Sequence, residues 1–210
     1  MTEPMSKRAL TRQRLTLIGI ALLFLSPMLA AWITWQYVQR HGVSSTVNHG
    51  DLVRPAQPLT EFSLQDGEGK SFTLKDLRGK WNLVYLGGND CDSDCREVLY
   101  KMRQARLAQG GEMHRVRRIY IMRAPGGPAP GLARALDKFT GTTALTGTAA
   151  ALASVRAQFE QAAPQASDAR TGWLYIVDPI GNIMMRYAPG FAGPGLVKDL
   201  ERLLRVSQVG

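Results

Sequence analysis

The sequence predicts an α/β domain, in which a sheet carries helices on both faces, behind one N-terminal transmembrane helix. Two observations predict this class. A charge-free apolar run extends from Leu15 to Val38, and the residues after about 59 alternate between short apolar runs and amphipathic stretches. The apolar run is long enough to cross a hydrocarbon core at about 1.5 Å per helical residue. We therefore expect four parts: a cytoplasmic basic N-terminus (1–14), the transmembrane anchor (15–38), a linker (39–58) and a periplasmic domain (59–210).

The residues that flank the apolar run predict its orientation. Four Lys or Arg residues precede the run, against one acid, Glu3, and three aromatic residues gather at its far end: Trp32, Trp35 and Tyr37. Basic flanks stay in the cytoplasm, and aromatic residues mark a membrane interface. A cleaved signal peptide normally has an apolar region of about 7 to 15 residues, so the length favours an anchor. The sequence predicts a single-pass protein of a bacterial inner membrane with its domain in the periplasm.

Within the domain, the apolar periodicity predicts an alternation of strands and helices. The DGEG and DPIG stretches are typical of hairpin turns. The predicted strands are 61–65, 71–74, 82–86, 116–122, 173–177 and 182–187, and the predicted helices are 95–109, 132–139, 149–159 and 196–206.

The only two cysteines of the chain, Cys91 and Cys95, lie in the stretch YLGGNDCDSDC. They could form a metal clip, a redox pair or a structural staple. Their i, i+4 spacing at a helix start allows a disulfide, and thiols outside the cytoplasm tend to oxidise. A staple that closes so small a loop stabilises little, which favours the redox pair. The carboxylates of Asp90, Asp92 and Asp94 disfavour a thiolate beside them, so the reduced pair should be a reductant of modest reactivity.

The charge distribution argues against nucleic acid as a partner. The chain carries a formal net charge of +9, but its bases are scattered after residue 40. The one cluster, at 114–118, has no interleaved aromatic residues on which bases could stack. The sequence therefore points to the inner membrane and to other proteins as partners.

Three segments resemble a known family: LRGKWNLVYLGGNDCDSDC, ALTGTAAALASVRAQF and LYIVDPIGNIMMRYAPG. Together they are similar to the Sco/SenC proteins, and the resemblance covers roughly residues 55–206. It implies a thioredoxin-like fold with a central mixed sheet, and a role in assembling the copper centre of cytochrome c oxidase subunit II. It also implies that Cys91 and Cys95 bind Cu(I), and that the partner is that subunit or another copper-assembly factor.

One departure from the family concerns the third copper ligand. In that family a histidine lies five residues before the tyrosine that corresponds to Tyr175, and this chain has Arg170 there. We therefore predict a divergent member that acts by thiol–disulfide exchange, with at most weak handling of Cu(I) and no other cofactor. Cys91 is predicted to be the more exposed nucleophile and Cys95 the resolving thiol. A non-catalytic assembly scaffold and a general periplasmic thiol–disulfide reductase are the alternatives, so whether the protein is an enzyme stays open.

Overall fold

The structure, a computed structural model, describes residues 7–41, 48–162 and 172–207. The chain divides into two units, Met1–Val47 and Asn48–Gly210. The first unit contains helix α1, Lys7–His41, with Pro27 inside it. Between Arg14 and Tyr37 this helix is long and apolar enough to cross a membrane. The predicted N-terminal apolar helix is confirmed. The apolar span Arg14–Tyr37 begins and ends one residue before the predicted span 15–38.

The second unit alternates strands and helices, as the periodicity predicts. It also contains a 3₁₀ helix at Gly110–Arg115. In chain order the elements are β1 (Asp51–Pro58), β2 (Ser63–Gln65), β3 (Ser71–Thr73), α2 (Leu74–Leu77), β4 (Trp81–Leu86), α3 (Ser93–Leu107), β5 (Val116–Ile121), α4 (Pro130–Lys138), β6 (Thr142–Leu145), α5 (Ala149–Gln161), β7 (Leu174–Val177), β8 (Asn182–Tyr187) and α6 (Gly193–Val206).

The strands form a six-stranded mixed sheet in the order β1-β8-β7-β4-β5-β6, with a separate β2-β3 hairpin. β4 pairs with β5 in parallel and with β7 in antiparallel, and β5 pairs with β6 in parallel. Every residue of β4 is buried, as expected of a central strand that is apolar on both faces. The carboxyl end of β4 is therefore the end of a fully buried strand.

Helices cover both faces of this sheet, which confirms the predicted fold class. Buried residues of α3, α4 and α6 form one hydrophobic cluster with one face, and they include Leu99, Leu132 and Leu200. Buried residues of α2, α5 and the β2-β3 hairpin form a second cluster with the other face. There the ring centroids of Phe159 and Tyr175 lie 5.0 Å apart. Each fully buried large apolar side chain contributes about 1.5–3 kcal/mol.

The prediction of a linker over 39–58 is wrong from residue 51 onward. That stretch is β1, which pairs in antiparallel with β8 at the edge of the sheet. Its half-exposed pattern and its two prolines, Pro55 and Pro58, hide the alternation by which a strand is recognised. Proline is tolerated there because an edge strand leaves N–H groups unpaired. The edge strand β6 was also missed, and the linker residues 42–47 lie outside the described residues.

The start of the second unit is fixed by a buried carboxylate of α6. Asp199 is 1% exposed. Its Oδ2 accepts hydrogen bonds from the backbone N–H of His49 at 2.8 Å, from that of Gly50 at 2.9 Å and from Tyr187 Oη at 2.9 Å. We call these four residues the Asp199 cluster. It attaches the chain just before β1 to α6 and β8.

Candidate functional site

The cysteine segment begins where β4 ends, and Gly87 lets it pass close to β5. A Cβ at residue 87 would overlap the hydroxyl end of the Tyr120 ring. The Tyr120 hydroxyl donates a hydrogen bond to the Gly88 carbonyl at 2.8 Å. The backbone N–H of Gly87 donates to the Ile121 carbonyl at 3.1 Å. Gly87 thus allows a close backbone approach that a larger residue would prevent.

Cys91 and Cys95 form a disulfide, with their Cα atoms 5.2 Å apart. Helix α3 begins after Cys91, because Asp92 is its N-cap and accepts a hydrogen bond from the Cys95 backbone N–H at 2.8 Å. Cys91 therefore precedes the helix, whereas Cys95 lies in its first turn. The sequence correctly predicts that the two residues can bond, although it places both in the first turn.

Both cysteines are buried, so the prediction that Cys91 is the more exposed is wrong. Cys91 is 3% exposed and Cys95 is 4% exposed. The segment that precedes them is held down by Asn89, whose side chain donates to the Ala124 carbonyl at 3.0 Å and accepts from the Ala124 N–H at 2.9 Å. The Asn89 carbonyl also accepts from the Ala129 N–H at 2.7 Å. These long-range bonds fix the segment just before Cys91 to the loop that precedes α4.

Two buried tyrosines, which sequence reasoning missed, lie beside the disulfide. Tyr120 Oη is 3.8 Å from Cys95 Sγ, and the ring of Tyr85 packs edge-on against that of Tyr120 at 5.4 Å between centroids. Burial raises the pKa of Tyr85 to about 12, with Asp92 and Asp94 adding to the effect. Burial also raises the pKa of Tyr120, with Tyr85 the next cause. Both hydroxyls stay protonated near neutral pH, so Tyr120 is a donor beside the Cys95 sulfur.

A groove of about 360 Å³ opens beside the start of α3. Its charged residues are three acids and one base. Lys101 Nζ lies 2.6 Å from Glu97 Oε1 and donates to the Phe191 carbonyl at 2.6 Å, so this base is already engaged. The groove therefore keeps the negative charge of Asp92 and Asp94. We call it the acidic groove; it is lined by Tyr85, Asp92, Asp94, Glu97, Val98, Lys101, Gly172, Pro189 and Gly190.

The described residues do not supply the copper site that the resemblance implies. Among them there is no group of three or more His, Cys, Asp or Glu side chains that could hold a metal ion. The two sulfur atoms are bonded to each other, and copper requires them as free thiolates. The His49 ring lies beside the Asp199 carboxylate, and the His114 ring lies beside the Gly111 carbonyl. Arg170, which replaces the family's histidine, lies outside the described residues.

A mixed sheet with helices on both faces, and a disulfide where a central strand leads into a helix, defines a thioredoxin-like protein. Residues 81–207 match the family described as "Transmembrane-like, thioredoxin-like, C-terminal domain". That match covers more than half of the chain, and the chain belongs to this family. Together with the apolar helix α1 it indicates a single-pass membrane protein.

No curated protein sequence matches the chain significantly. Solved structures do match it. Yeast Sco1 with copper bound is 21% identical, with a TM-score of 0.60, and the match covers 73% of this chain and 95% of that one. BsSco, described as a member of the Sco family of cytochrome c oxidase assembly proteins with a disulfide switch, is 17% identical, with a TM-score of 0.56 and coverage of 75% and 98%. The thioredoxin domain of a thiol–disulfide oxidoreductase from Bacteroides vulgatus is 16% identical, with a TM-score of 0.52 and coverage of 76% and 99%.

These structural likenesses show the fold. The thioredoxin-like prediction is confirmed, and the structures that the fold matches include the Sco proteins that the sequence motifs resemble. At these identities the likeness does not carry over a metal site or a partner. The roles of Cys91 and Cys95 stay predictions.

Proposed function

We propose that this protein assists the assembly of cytochrome c oxidase by thiol–disulfide exchange through Cys91 and Cys95, as a membrane-anchored domain on the periplasmic side. The observation that carries the proposal is the disulfide at the start of α3, with the Tyr120 hydroxyl 3.8 Å from Cys95 Sγ. The names of two structural neighbours support it. One is a Sco protein with a disulfide switch, and the other is a thiol–disulfide oxidoreductase.

The exchange starts from the reduced pair. The Cys91 thiolate attacks one sulfur of a partner disulfide, so that a Cys91–partner disulfide forms and the partner's other sulfur leaves as a thiolate. The Cys95 thiolate then attacks Cys91 Sγ, which forms the Cys91–Cys95 disulfide and releases the second partner thiolate. The partner is reduced by two electrons and this protein is oxidised by two. A periplasmic dithiol donor returns the pair to the reduced state by the same two steps in reverse.

Two neighbours of Cys95 assist its part in the exchange. The Tyr120 hydroxyl can turn from the Gly88 carbonyl to donate a hydrogen bond to the Cys95 thiolate, which stabilises the anion. The N-terminus of α3 favours negative charge at the same atom, although the carboxylates of Asp92 and Asp94 oppose it. The balance fits a reductant of modest reactivity. The exchange also requires a local opening that exposes the pair, because both cysteines are buried in the oxidised form.

Trapping the intermediate tests the proposal. The full-length Cys95→Ser variant lacks the resolving thiol and should accumulate a mixed disulfide between Cys91 and its partner. Non-reducing electrophoresis and mass spectrometry of the membrane fraction should find oxidase subunit II or another copper-assembly factor in the adduct. Cys91→Ser is the matched control and should give no such adduct. Absence of any adduct with Cys95→Ser would count against exchange.

The burial of both sulfur atoms favours a second candidate, a non-catalytic scaffold in which the disulfide is a static staple. A scaffold predicts that the Cys91→Ser, Cys95→Ser double variant still folds, binds its partner and restores oxidase activity in a deletion strain. Thiol exchange predicts that this variant fails to restore activity although it is present in the membrane at a normal level. The two functions therefore give opposite results in one complementation experiment.

The orientation and the membrane are part of the proposal. The basic residues at the start of α1, before its apolar run, support a cytoplasmic N-terminus and a periplasmic domain in a bacterial inner membrane. Alkaline phosphatase fused after residue 50 should be active and should stay in the membrane fraction. Release of a shortened soluble form would instead identify the N-terminal segment as a cleaved signal.

A further inference from the structure

The acidic groove is lined by a buried tyrosine whose hydroxyl the described residues leave without a partner. Tyr85 is 3% exposed, and it lines the groove together with Asp92 and Asp94. Its hydroxyl has no hydrogen-bond partner among residues 7–41, 48–162 and 172–207. The Tyr187 hydroxyl, by contrast, is buried and donates to Asp199 at 2.9 Å. The Tyr85 ring is buried while its hydroxyl opens into the groove, so a ligand there could accept a hydrogen bond from it in place of water.

The charges of the groove indicate which kind of side chain a ligand would carry beside that acceptor. Asp92 uses one carboxylate oxygen to cap α3, by accepting from the Cys95 N–H, and Asp94 accepts only a weak bond of 3.3 Å from Ser93 Oγ. Glu97 is paired with Lys101. Within the described ranges no other donor bonds to the Asp92 and Asp94 carboxylates, and a lysine or arginine side chain would complement them.

We propose that the acidic groove docks an extended peptide segment of the partner that carries a lysine or arginine close to the reacting cysteine. The Tyr85 hydroxyl donates a hydrogen bond to a backbone carbonyl of the segment, and Asp92 and Asp94 bind its basic side chain. This inference rests on the proposed thiol exchange, and it names the partner chemistry that the same site selects. The raised pKa of Tyr85 keeps the hydroxyl a donor throughout the neutral range.

Two peptides that differ in one charge test the groove. Acetyl-Gly-Cys-Gly-Lys-amide and acetyl-Gly-Cys-Gly-Glu-amide are each prepared as a mixed disulfide with 2-nitro-5-thiobenzoate. The reduced full-length protein in detergent micelles attacks the peptide sulfur and releases the coloured thiolate, and resolution by Cys95 then frees the peptide thiol. At low ionic strength the lysine peptide should react about fivefold faster than the glutamate peptide, and 0.5 M salt should bring the ratio close to one.

Which of the two peptides reacts faster distinguishes attraction by the acidic groove from long-range steering by the charge of the whole protein. The chain carries a net charge of +9, so long-range steering alone would favour the glutamate peptide. Asp94→Asn should reduce the ratio to about two, because one of two carboxylates is lost. Asp137→Asn removes an exposed acid of α4 outside the groove and should leave the ratio unchanged. Tyr85→Phe should slow the reactions of both peptides by a similar factor and preserve the ratio.

Failure of the groove and failure of the exchange give different results. Equal rates for the two peptides, or a ratio that Asp94→Asn leaves unchanged, would overturn the groove while leaving the exchange intact. If neither peptide releases the coloured thiolate, the exchange is the proposal that fails. The groove is then decided by calorimetric titration of the oxidised protein with analogues in which serine replaces cysteine. Tighter binding of the lysine analogue supports the groove, and equal binding overturns it.

Discussion

The Asp199 cluster and the disulfide corner (Tyr85, Cys91, Asp92, Asp94 and Cys95) both place carboxylates and a tyrosine hydroxyl against the same side of the sheet. In the Asp199 cluster the carboxylate is 1% exposed and accepts three hydrogen bonds to one oxygen atom. In the disulfide corner the acids are exposed, and the Tyr85 hydroxyl has no partner among the described residues. The polar groups of the Asp199 cluster are hydrogen-bonded to one another, whereas those of the disulfide corner are accessible to a ligand.

This difference separates a polar group that stabilises the fold from one that is available to a ligand. A buried charge persists only where donors satisfy it, and the removal of one member leaves the others unpaired. An exposed acid beside a groove contributes little to stability, because water already solvates it. Substitutions in the Asp199 cluster should therefore lower the free energy of unfolding and leave the rate of thiol exchange unchanged. Substitutions of the acids in the disulfide corner should change the rate of exchange and leave the free energy of unfolding nearly unchanged.

The largest expected effect is that of Asp199→Ala. Loss of the carboxylate leaves the partly buried N–H of His49, the buried N–H of Gly50 and the buried hydroxyl of Tyr187 without an acceptor. The free energy of unfolding should fall by about 3 kcal/mol. Urea unfolding of the full chain in micelles, followed by near-ultraviolet circular dichroism, measures it. Asp94→Ala is the matched control and should cost less than about 1 kcal/mol. Similar losses in the two variants would remove the distinction between the clusters.

Reduction of the disulfide should have a smaller effect. The bond between Cys91 and Cys95 closes a loop of about five residues, for which the chain-entropy relation gives about 2 kcal/mol at most. Urea unfolding with and without a phosphine reductant measures the change. A much larger loss would mean that the disulfide is a staple on which the domain depends.

Removal of single hydroxyls compares the two clusters most directly. Tyr187→Phe removes a hydrogen bond to a buried carboxylate and should lower the free energy of unfolding by about 1.5 kcal/mol. Tyr85→Phe removes a hydroxyl without a partner in the described chain and should change it by less than about 0.5 kcal/mol. The same urea titration serves both. A costly Tyr85→Phe would show that its hydroxyl is paired within the fold, and the acidic groove would then lack its donor.

The effect of Arg170→His on copper binding should be slightly smaller than that of Tyr187→Phe on unfolding. We propose that the reduced wild-type pair binds Cu(I) only weakly through two thiolates, because the sequence has Arg170 in place of the histidine that is the third ligand in the Sco family. Arg170→His should strengthen the binding of Cu(I) by about tenfold, or 1.4 kcal/mol, as measured by competition with a chromophoric chelator. Cu(II) should bind hardly at all to the wild type. A tight stoichiometric Cu(II) complex would mean that another residue is the third ligand.

Local patterns were sufficient to predict most of the secondary structure of the domain. The apolar run 82–86 became β4, and the DPIG turn joined β7 to β8 in antiparallel. Both predictions depend on neighbours in the chain: a fully buried strand must be apolar throughout, and a tight turn needs glycine and proline at fixed positions. β1 and β6 were missed because edge strands are half exposed and carry no such pattern.

By itself, the sequence determined the apolar N-terminal helix, the α/β class and the ability of Cys91 and Cys95 to form a disulfide. Each of these follows from composition or from spacing along the chain. Only the tertiary structure decided that both sulfur atoms are buried, that Tyr120 lies beside Cys95, and that Tyr85 faces Asp92 and Asp94. Burial and proximity between residues that are distant in sequence depend on how β4, β5 and α3 pack, and no local pattern encodes the surroundings of a side chain.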